Sequence, residues 1–250
     1  MAIADELKPE SGETLDSIRD IKLFQAKNGY RFSVDALLLE NFISAPRLEK
    51  GLELGAGSGI ISILLAKRLK DARITAVEIQ ESFARRAERN VRLNRLSGRV
   101  RVLAMDMKEL RNVFPANEFN FVFSNPPFRR PGTGRMSRDE ERAIARHEIE
   151  ITLAELVSTA SYLLRHSGKF YLIYHPFRLA ELISLLRKHR LEPKKMRFVH
   201  STSAEEAKMV LIEAVKGSGT WLKVPPPLYI YVNGTEYTPE MKRILGVDEA

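Results

Sequence analysis

"GLELGAGSGIISILLAKRLK" runs from Gly51 to Lys70, and its reading decides the fold. Its apolar start is strand-like and stops at Leu54, glycines recur at 55, 57 and 59, and an amphipathic helix is predicted from Ile60. Glycine tolerates positive φ and lets the backbone approach a neighbour or a ligand closely. A helix N-terminus behind such a loop favours a negative group. The spacing is Gly-x-Gly-x-Gly, not the Gly-x-Gly-x-x-Gly dinucleotide fingerprint. With no Gly-Lys-Ser/Thr it is not a P-loop either.

Working outward, β-like runs alternate with helical ones. "RITAVEIQ", "VRVLAMD", "FNFVFSNPP" and "GKFYLIYH" are predicted strands. "SFARRAERNVRLNRL" (with Ser82 as N-cap), "ITLAELVSTASYLL" and "RLAELISLLRKHR" are predicted helices. This alternation predicts a mostly parallel α/β sheet with helices on both faces. "KMRFVHS" and "AKMVLIEAVKG" have no helix between them, so a late antiparallel hairpin is expected. Residues 1–20 are polar and expected to be partly disordered; 21–218 form the domain; 219–250 are expected to be a surface tail with a short extended piece.

The chain has 250 residues and a formal charge of +8, from 40 Lys+Arg and 32 Asp+Glu. Such a balance suits a polyanionic partner or simply a soluble basic surface. The absence of cysteine removes disulfides, thiolate nucleophiles and zinc–cysteine sites. His166, His175, His189 and His200 show no metal spacing and are expected to be structural. No apolar run is long enough to span a membrane, and the polar start lacks a signal-peptide core. A cytoplasmic, metal-free monomer is expected.

Two carboxylates follow the glycine loop. Glu78 closes the next predicted strand, 19 positions after Gly59 (78 minus 59), and Asp106 ends the third. A carboxylate at the first place can accept both hydroxyls of a ribose; one at the second can accept an adenine amine. Ligands in open α/β sheets lie beyond the carboxyl ends of the strands. Glu53, Gly55, Gly57, Gly59, Glu78 and Asp106 are therefore the expected cofactor residues. With no pyrophosphate fingerprint, S-adenosylmethionine fits them better than a nicotinamide dinucleotide. Each residue taken singly is equally consistent with ordinary turn chemistry.

After the fourth predicted strand comes Asn125-Pro126-Pro127-Phe128. An exocyclic amine is a poor nucleophile because its lone pair is delocalised into the ring. Two acceptors aimed at its N–H groups favour the pyramidal form. Asn125 offers a side-chain carbonyl and Pro126 a backbone carbonyl, both held extended by the proline that follows. Phe128 offers a stacking face for a base taken out of its stack. The plain alternative is a rigid turn that ends a strand.

This motif, set after the glycine loop, resembles class I S-adenosylmethionine-dependent methyltransferases that act on planar amino nitrogens. "FQAKNGYRFSVDALLLENF" (residues 24–42) and "AIARHEIEITLAELVSTASYLL" further resemble the bacterial tRNA-valine adenine-N6 methyltransferases, over about residues 20–215. The resemblance implies a Rossmann-like class I fold with a seven-stranded sheet, S-adenosylmethionine as donor and tRNA as partner. It implies methylation of adenosine N6 in the anticodon-loop region, with Asn125, Pro126, Pro127 and Phe128 as catalytic residues. The family often has Tyr where Phe128 stands; stacking survives that change but a hydroxyl hydrogen bond does not. Tyr30, Phe32 and Asp35 would help cover the cofactor, or else be core aromatics and a first-turn acid behind an N-cap at Ser33. Arg129, Arg130 and Arg135, in the basic loop after the motif, are expected to meet RNA phosphates. Arg146 and His147 fit an RNA contact or a helix start. Arg85, Arg86, Arg89, Arg92 and Arg95 share one helix and fit a solvated face or an RNA face. Guanine-N2 and glutamine-N5 transfer use the same motif, and a non-catalytic RNA-binding factor is the alternative from another class.

Overall fold

The computed structural model describes residues 7–28, 31–44, 50–126 and 152–247. Its strands are β1 (Glu13–Ile18), β2 (Ile21–Ala26), β3 (Lys50–Leu54), β4 (Arg73–Glu78), β5 (Val100–Ala104), β6 (Phe119–Ser124), β7 (Leu164–Tyr174), β8 (Leu191–His200), β9 (Ala207–Lys216) and β10 (Leu228–Tyr229). The helices among the described residues are α1 (Val34–Phe42), α2 (Ile60–Arg68), α3 (Glu81–Leu93), α4 (Leu110–Val113), α5 (Leu153–Leu163), α6 (Leu179–Lys188) and α7 (Pro239–Leu245). No helix among them is long and apolar enough to cross a membrane.

The main sheet has the order β5-β4-β3-β6-β7-β9-β8-β10. β9 is antiparallel to both its neighbours, and the other pairings are parallel. The seven expected strands are all present, and the two-residue β10 adds an eighth at the edge. Parallel strands bury both faces and so carry continuous apolar runs; β6 is buried at all six positions. One apolar layer joins α1, α2 and part of α3 to the sheet, and a second joins α5 and α6 to its other face. The chain lays β4 and β5 on one side of β3 and then returns to place β6 on the other. The resulting crevice between β3 and β6, at the carboxyl ends, is where an α/β sheet of this kind takes a ligand.

Several expectations need correction. α2 is not amphipathic: Ile60 to Ala66 are all buried, because α1, α3 and β2 pack around it. α3 begins at Glu81 behind Gln80, so Ser82 lies inside the helix rather than at its cap. β8 starts at Leu191, earlier than the sequence suggested, and accommodates Pro193 at an irregularity of the ladder. α5 opens with a capping box, in which the Thr152 hydroxyl accepts from Glu155 N and the Glu155 carboxylate accepts from Thr152 N.

The polar N-terminal stretch is ordered from Glu13 to Ile18 as half of a hairpin with β2. Its dock on α3 is made by asparagines. Asn90 Oδ1 accepts from Phe24 N (2.7 Å) and Asn90 Nδ2 donates to Phe24 O (3.2 Å). Asn94 Oδ1 accepts from Lys22 N (3.1 Å) and Asn94 Nδ2 donates to Lys22 O (2.7 Å). Four helical residues advance about 6 Å and two strand residues about 6.6 Å. Two amides spaced i, i+4 can therefore pair with alternate residues of β2 as a neighbouring strand would. Arg86 and Arg89 are spent on the same dock, binding Glu13 at 2.9 and 2.7 Å. Burial pushes the Glu13 carboxyl up, but the Glu10 N–H and these two guanidiniums outweigh it and hold it below its ordinary range. For these two arginines neither a solvated face nor an RNA face describes what is seen.

The C-terminal segment is more than a surface tail. Leu228, Ile230, Met241 and Ile244 are buried, and Arg197 on β8 binds the Glu240 carboxylate at 2.6 and 2.8 Å. Arg19, in the turn of the hairpin with φ 50°, donates to Ile244 O at 2.8 Å and to Glu40 at 2.7 Å. Glu40 is 1% exposed and also takes Arg68 at 2.5 Å. One buried carboxylate thus joins the hairpin, α1 and α2. Removing it leaves two guanidiniums without their shared acceptor. Glu40→Ala is expected to lower the free energy of unfolding by about 3 kcal/mol, measured by urea denaturation.

Candidate active site

Each part of the candidate site lies at the carboxyl edge of a strand. Gly55, Gly57 and Gly59 all have positive φ, of 77°, 54° and 80°. A Cβ on Gly59 would also stand 3.2 Å from the Ala87 side chain, so α3 would have to give by a few tenths of an ångström. The loop's N–H groups are mostly used inside the protein. Gly55 N and Ala56 N donate to Val77 O, each at 2.9 Å, and Gly59 N donates to Ala56 O at 2.8 Å. Gly57 N donates to Glu78 Oε2 at 2.8 Å. This is not a cradle for a pyrophosphate. Its effect is to fix Glu78.

Glu78 is buried, and its other oxygen accepts from Gln80 N at 2.9 Å. Each carboxylate oxygen keeps a second lone pair, enough for the two hydroxyls of a ribose. Asp106 follows β5, half-buried, with Oδ1 accepting from Lys108 N at 2.9 Å. Met105 N donates to Glu78 O at 3.0 Å, so the segments carrying the two carboxylates are joined by backbone.

Glu53 behaves differently from the other expected cofactor residues. It is 1% exposed, and its Oε2 accepts from the Ser62 N–H (3.2 Å) and from the Ser62 hydroxyl. Burial, with the Glu78 charge adding to it, pushes the carboxyl up to about 8, so it is protonated at neutral pH. Its contacts brace α2 against β3.

Asn125 and Pro126 follow β6 and are half-buried. Ser124 Oγ donates to Leu54 O at 2.7 Å, tying the end of β6 to the end of β3 where the glycine loop begins. Asp35, in the first turn of α1, has its carboxyl raised by burial, with Ser33 and the charge of His175 acting against this. Ser33 stands at the N-cap position, and its side chain engages Asp35 rather than a helix N–H. His175 directly follows β7, so Asp35 is brought to the same edge of the sheet. Phe32 packs on the core and donates its N–H to Gln25 Oε1 at 3.0 Å. Tyr30, Pro127, Phe128, Arg129, Arg130, Arg135, Arg146 and His147 lie outside the described residues. No group of side chains suited to a metal ion occurs among the described residues.

Sequence reading missed two residues at this edge, Ser124 and Asn90. Asn90 is fully buried, and besides holding β2 its Nδ2 donates to Ser58 O in the glycine loop at 3.0 Å. A polar residue on the apolar face of α3, beside Ala84, Ala87 and Val91, was the available signal.

An open sheet of this order, with one late antiparallel strand and a glycine loop beside the switch point, defines a Rossmann-like class I methyltransferase fold. The family model for the methyltransferase small domain matches residues 33–198. The chain belongs to that family. A tRNA1(Val) (adenine(37)-N6)-methyltransferase of Porphyromonas gingivalis is 30% identical over 164 residues, which are 65% of this chain and 64% of that relative. A protein of the same description from Flavobacterium johnsoniae is 29% identical over 220 residues, 86% of this chain and 91% of the relative. Among solved structures, one described as a predicted O-methyltransferase from Agrobacterium tumefaciens superposes with a TM-score of 0.70 at 26% identity, covering 86% of this chain and 97% of that one.

Glu53 supplies a test of the site's electrostatics. Its folded value lies above its ordinary 4.5, so the folded state holds a proton that the unfolded state has lost between about pH 4.5 and about 8. Stability from this group therefore falls as pH rises through that window. Glu53→Gln, which cannot ionise, is expected to flatten the fall, read as Tm against pH for both proteins.

Proposed function

We propose that the chain methylates the exocyclic N6 of an adenosine in tRNA, in the anticodon-loop region, with S-adenosylmethionine as donor. The observation that carries this is Asn125-Pro126 at the carboxyl end of β6, held by Ser124 beside the loop that fixes Glu78. The names of the relatives support the choice of adenine N6 and of tRNA. The part of the chain that aligns with the first of them is just under two thirds of its length.

The residues fit that donor. Glu78 offers its free lone pairs to the ribose, and Asp106 faces the place of the adenine amine. The loop offers no phosphate cradle, as suits a ligand that has no phosphate. S-adenosylmethionine supplies a methyl group on a positively charged sulfur. The Asn125 side-chain carbonyl and the Pro126 carbonyl accept the two N–H groups of the target amine and draw its lone pair out of the ring. Phe128, next but one after Pro126, supplies the stacking face for the extruded base. No strong base is needed, because the methylated ammonium is acidic and loses its proton to solvent. Arg129, Arg130 and Arg135 meet the phosphates beside the target base.

Guanine-N2, glutamine-N5 and oxygen acceptors, and a binding factor without catalysis, are separated by one measurement. Labelled methyl transfer to unmodified tRNA, followed by nucleoside mass spectrometry, is expected to give N6-methyladenosine. N2-methylguanosine, a ribose-methylated nucleoside or no RNA product overturns the proposal. Asn125→Ala is expected to cut turnover by about 1000-fold or more while donor affinity stays within a few-fold; near-normal turnover removes the role assigned to Asn125. Glu78→Ala is expected to weaken donor binding by about tenfold or more, read by calorimetry, through loss of hydrogen bonds to a charged group.

A further inference from the structure

Between β9 and β10 the chain runs along the open edge of β8. Lys223 N donates to Lys194 O (3.0 Å) and Met196 N donates to Lys223 O (2.9 Å). At this edge stands the chain's only tryptophan, Trp221, 64% exposed. Leu222 and Val224 are exposed beside it. Its φ is 118°, a conformation that a bulky L residue rarely takes. Strain of this kind persists where surrounding contacts impose it, often at binding sites. Two cations flank the ring, with the Lys194 ammonium 4.7 Å and the Lys223 ammonium 5.4 Å from its centre. Lys194 also donates to Gly219 O at 3.0 Å. Neither ammonium pairs with a carboxylate among the described residues, whereas Glu192 and Glu213 nearby are taken by Arg187 and Lys169.

An exposed aromatic face between unneutralised ammonium groups matches a base with its phosphates. The surplus of cations disfavours a basic or neutral partner. The place is also within reach of the site. Lys223 is level with Lys195, and through Glu213 and Tyr171 with Phe123. Four strand spacings of about 4.8 Å and two residues of about 3.3 Å put Lys223 roughly 20 Å from Asn125. About six nucleotides stacked at about 3.4 Å cover that span.

We propose that Trp221, with Lys194 and Lys223, is a stacking post for an unpaired nucleotide of the RNA whose target base enters at Asn125. The inference rests on the reading of tRNA as substrate. Because Trp221 is the only tryptophan, emission excited at its absorption edge reports on this place alone. Titration of the full chain with unmodified tRNA is expected to quench it in step with binding, and the quench should weaken as salt is raised. Trp221→Ala should raise the KM for tRNA about tenfold, with donor affinity and kcat at saturating tRNA unchanged, and Trp221→Phe should restore most of the loss. Unchanged emission at tRNA concentrations that saturate methyl transfer overturns the post and leaves the proposed reaction standing. So does an unchanged KM in a folded Trp221→Ala protein. Quenching by vesicles of anionic lipid but not by tRNA assigns the patch to a membrane surface and likewise overturns it. Full quenching by tRNA without methyl transfer upholds the post and overturns the reaction.

Discussion

A single buried amide holds together the parts that surround the glycine loop. Asn90 pairs with both backbone groups of Phe24 and with Ser58 O, and so fastens a hairpin, a helix and the glycine loop at one point. A satisfied hydrogen bond adds only about 1 kcal/mol net, but a buried polar group left without its partner costs about 1–3 kcal/mol. The constraint is therefore asymmetric. Leucine at this place would leave three backbone groups unpaired, and aspartate would serve the Phe24 N–H while repelling two carbonyls. With the loop pinned from α3 and its glycines at positive φ, Gly57 N donates to Glu78 and fixes that carboxylate at the end of β4.

The two carboxyls of this end, Glu53 and Glu78, stand on adjacent strands and divide the work by environment. Deep burial keeps a proton on Glu53, which then braces α2 through Ser62 without adding negative charge. Glu78 meets the Gly57 and Gln80 N–H groups and keeps a second lone pair on each oxygen. Sequence alone gives both residues the same description, a carboxylate at a strand end. Both side chains are buried, and their partners tell them apart: Ser62 of α2 for Glu53, the Gly57 and Gln80 N–H groups for Glu78.

What could be read in advance was local. The alternation of apolar runs and helical patterns, the glycine spacing and the late strand pair all lie within windows of a few tens of residues. What escaped was the set of contacts between residues far apart in the chain. Glu13 is polar and looked unstructured until Arg86 and Arg89, more than seventy positions on, were seen to bind it. The asparagines that stand in for a strand against β2 carry no periodic signal of that role. The C-terminal segment looked superficial because its anchors, Arg197 and Arg19, belong to other elements. The Asn125–Phe128 motif stands out because its four residues are consecutive, and the structure places Asn125 and Pro126 directly after β6.

The contact between Arg19 and the Ile244 carbonyl closes a loop of 225 residues. Pairings so distant in sequence form late, because the chain must first give up the entropy of the whole intervening loop. During synthesis Arg19 and Glu40 are made together, and Arg68 follows soon after. Ile244 emerges only when the sheet and both helical layers have been translated. The hairpin can thus settle on Glu40 early and be clamped from its other side only once the last helix has docked. A chain cut short of Ile244 therefore lacks one of the bonds that hold the Arg19 turn of the hairpin.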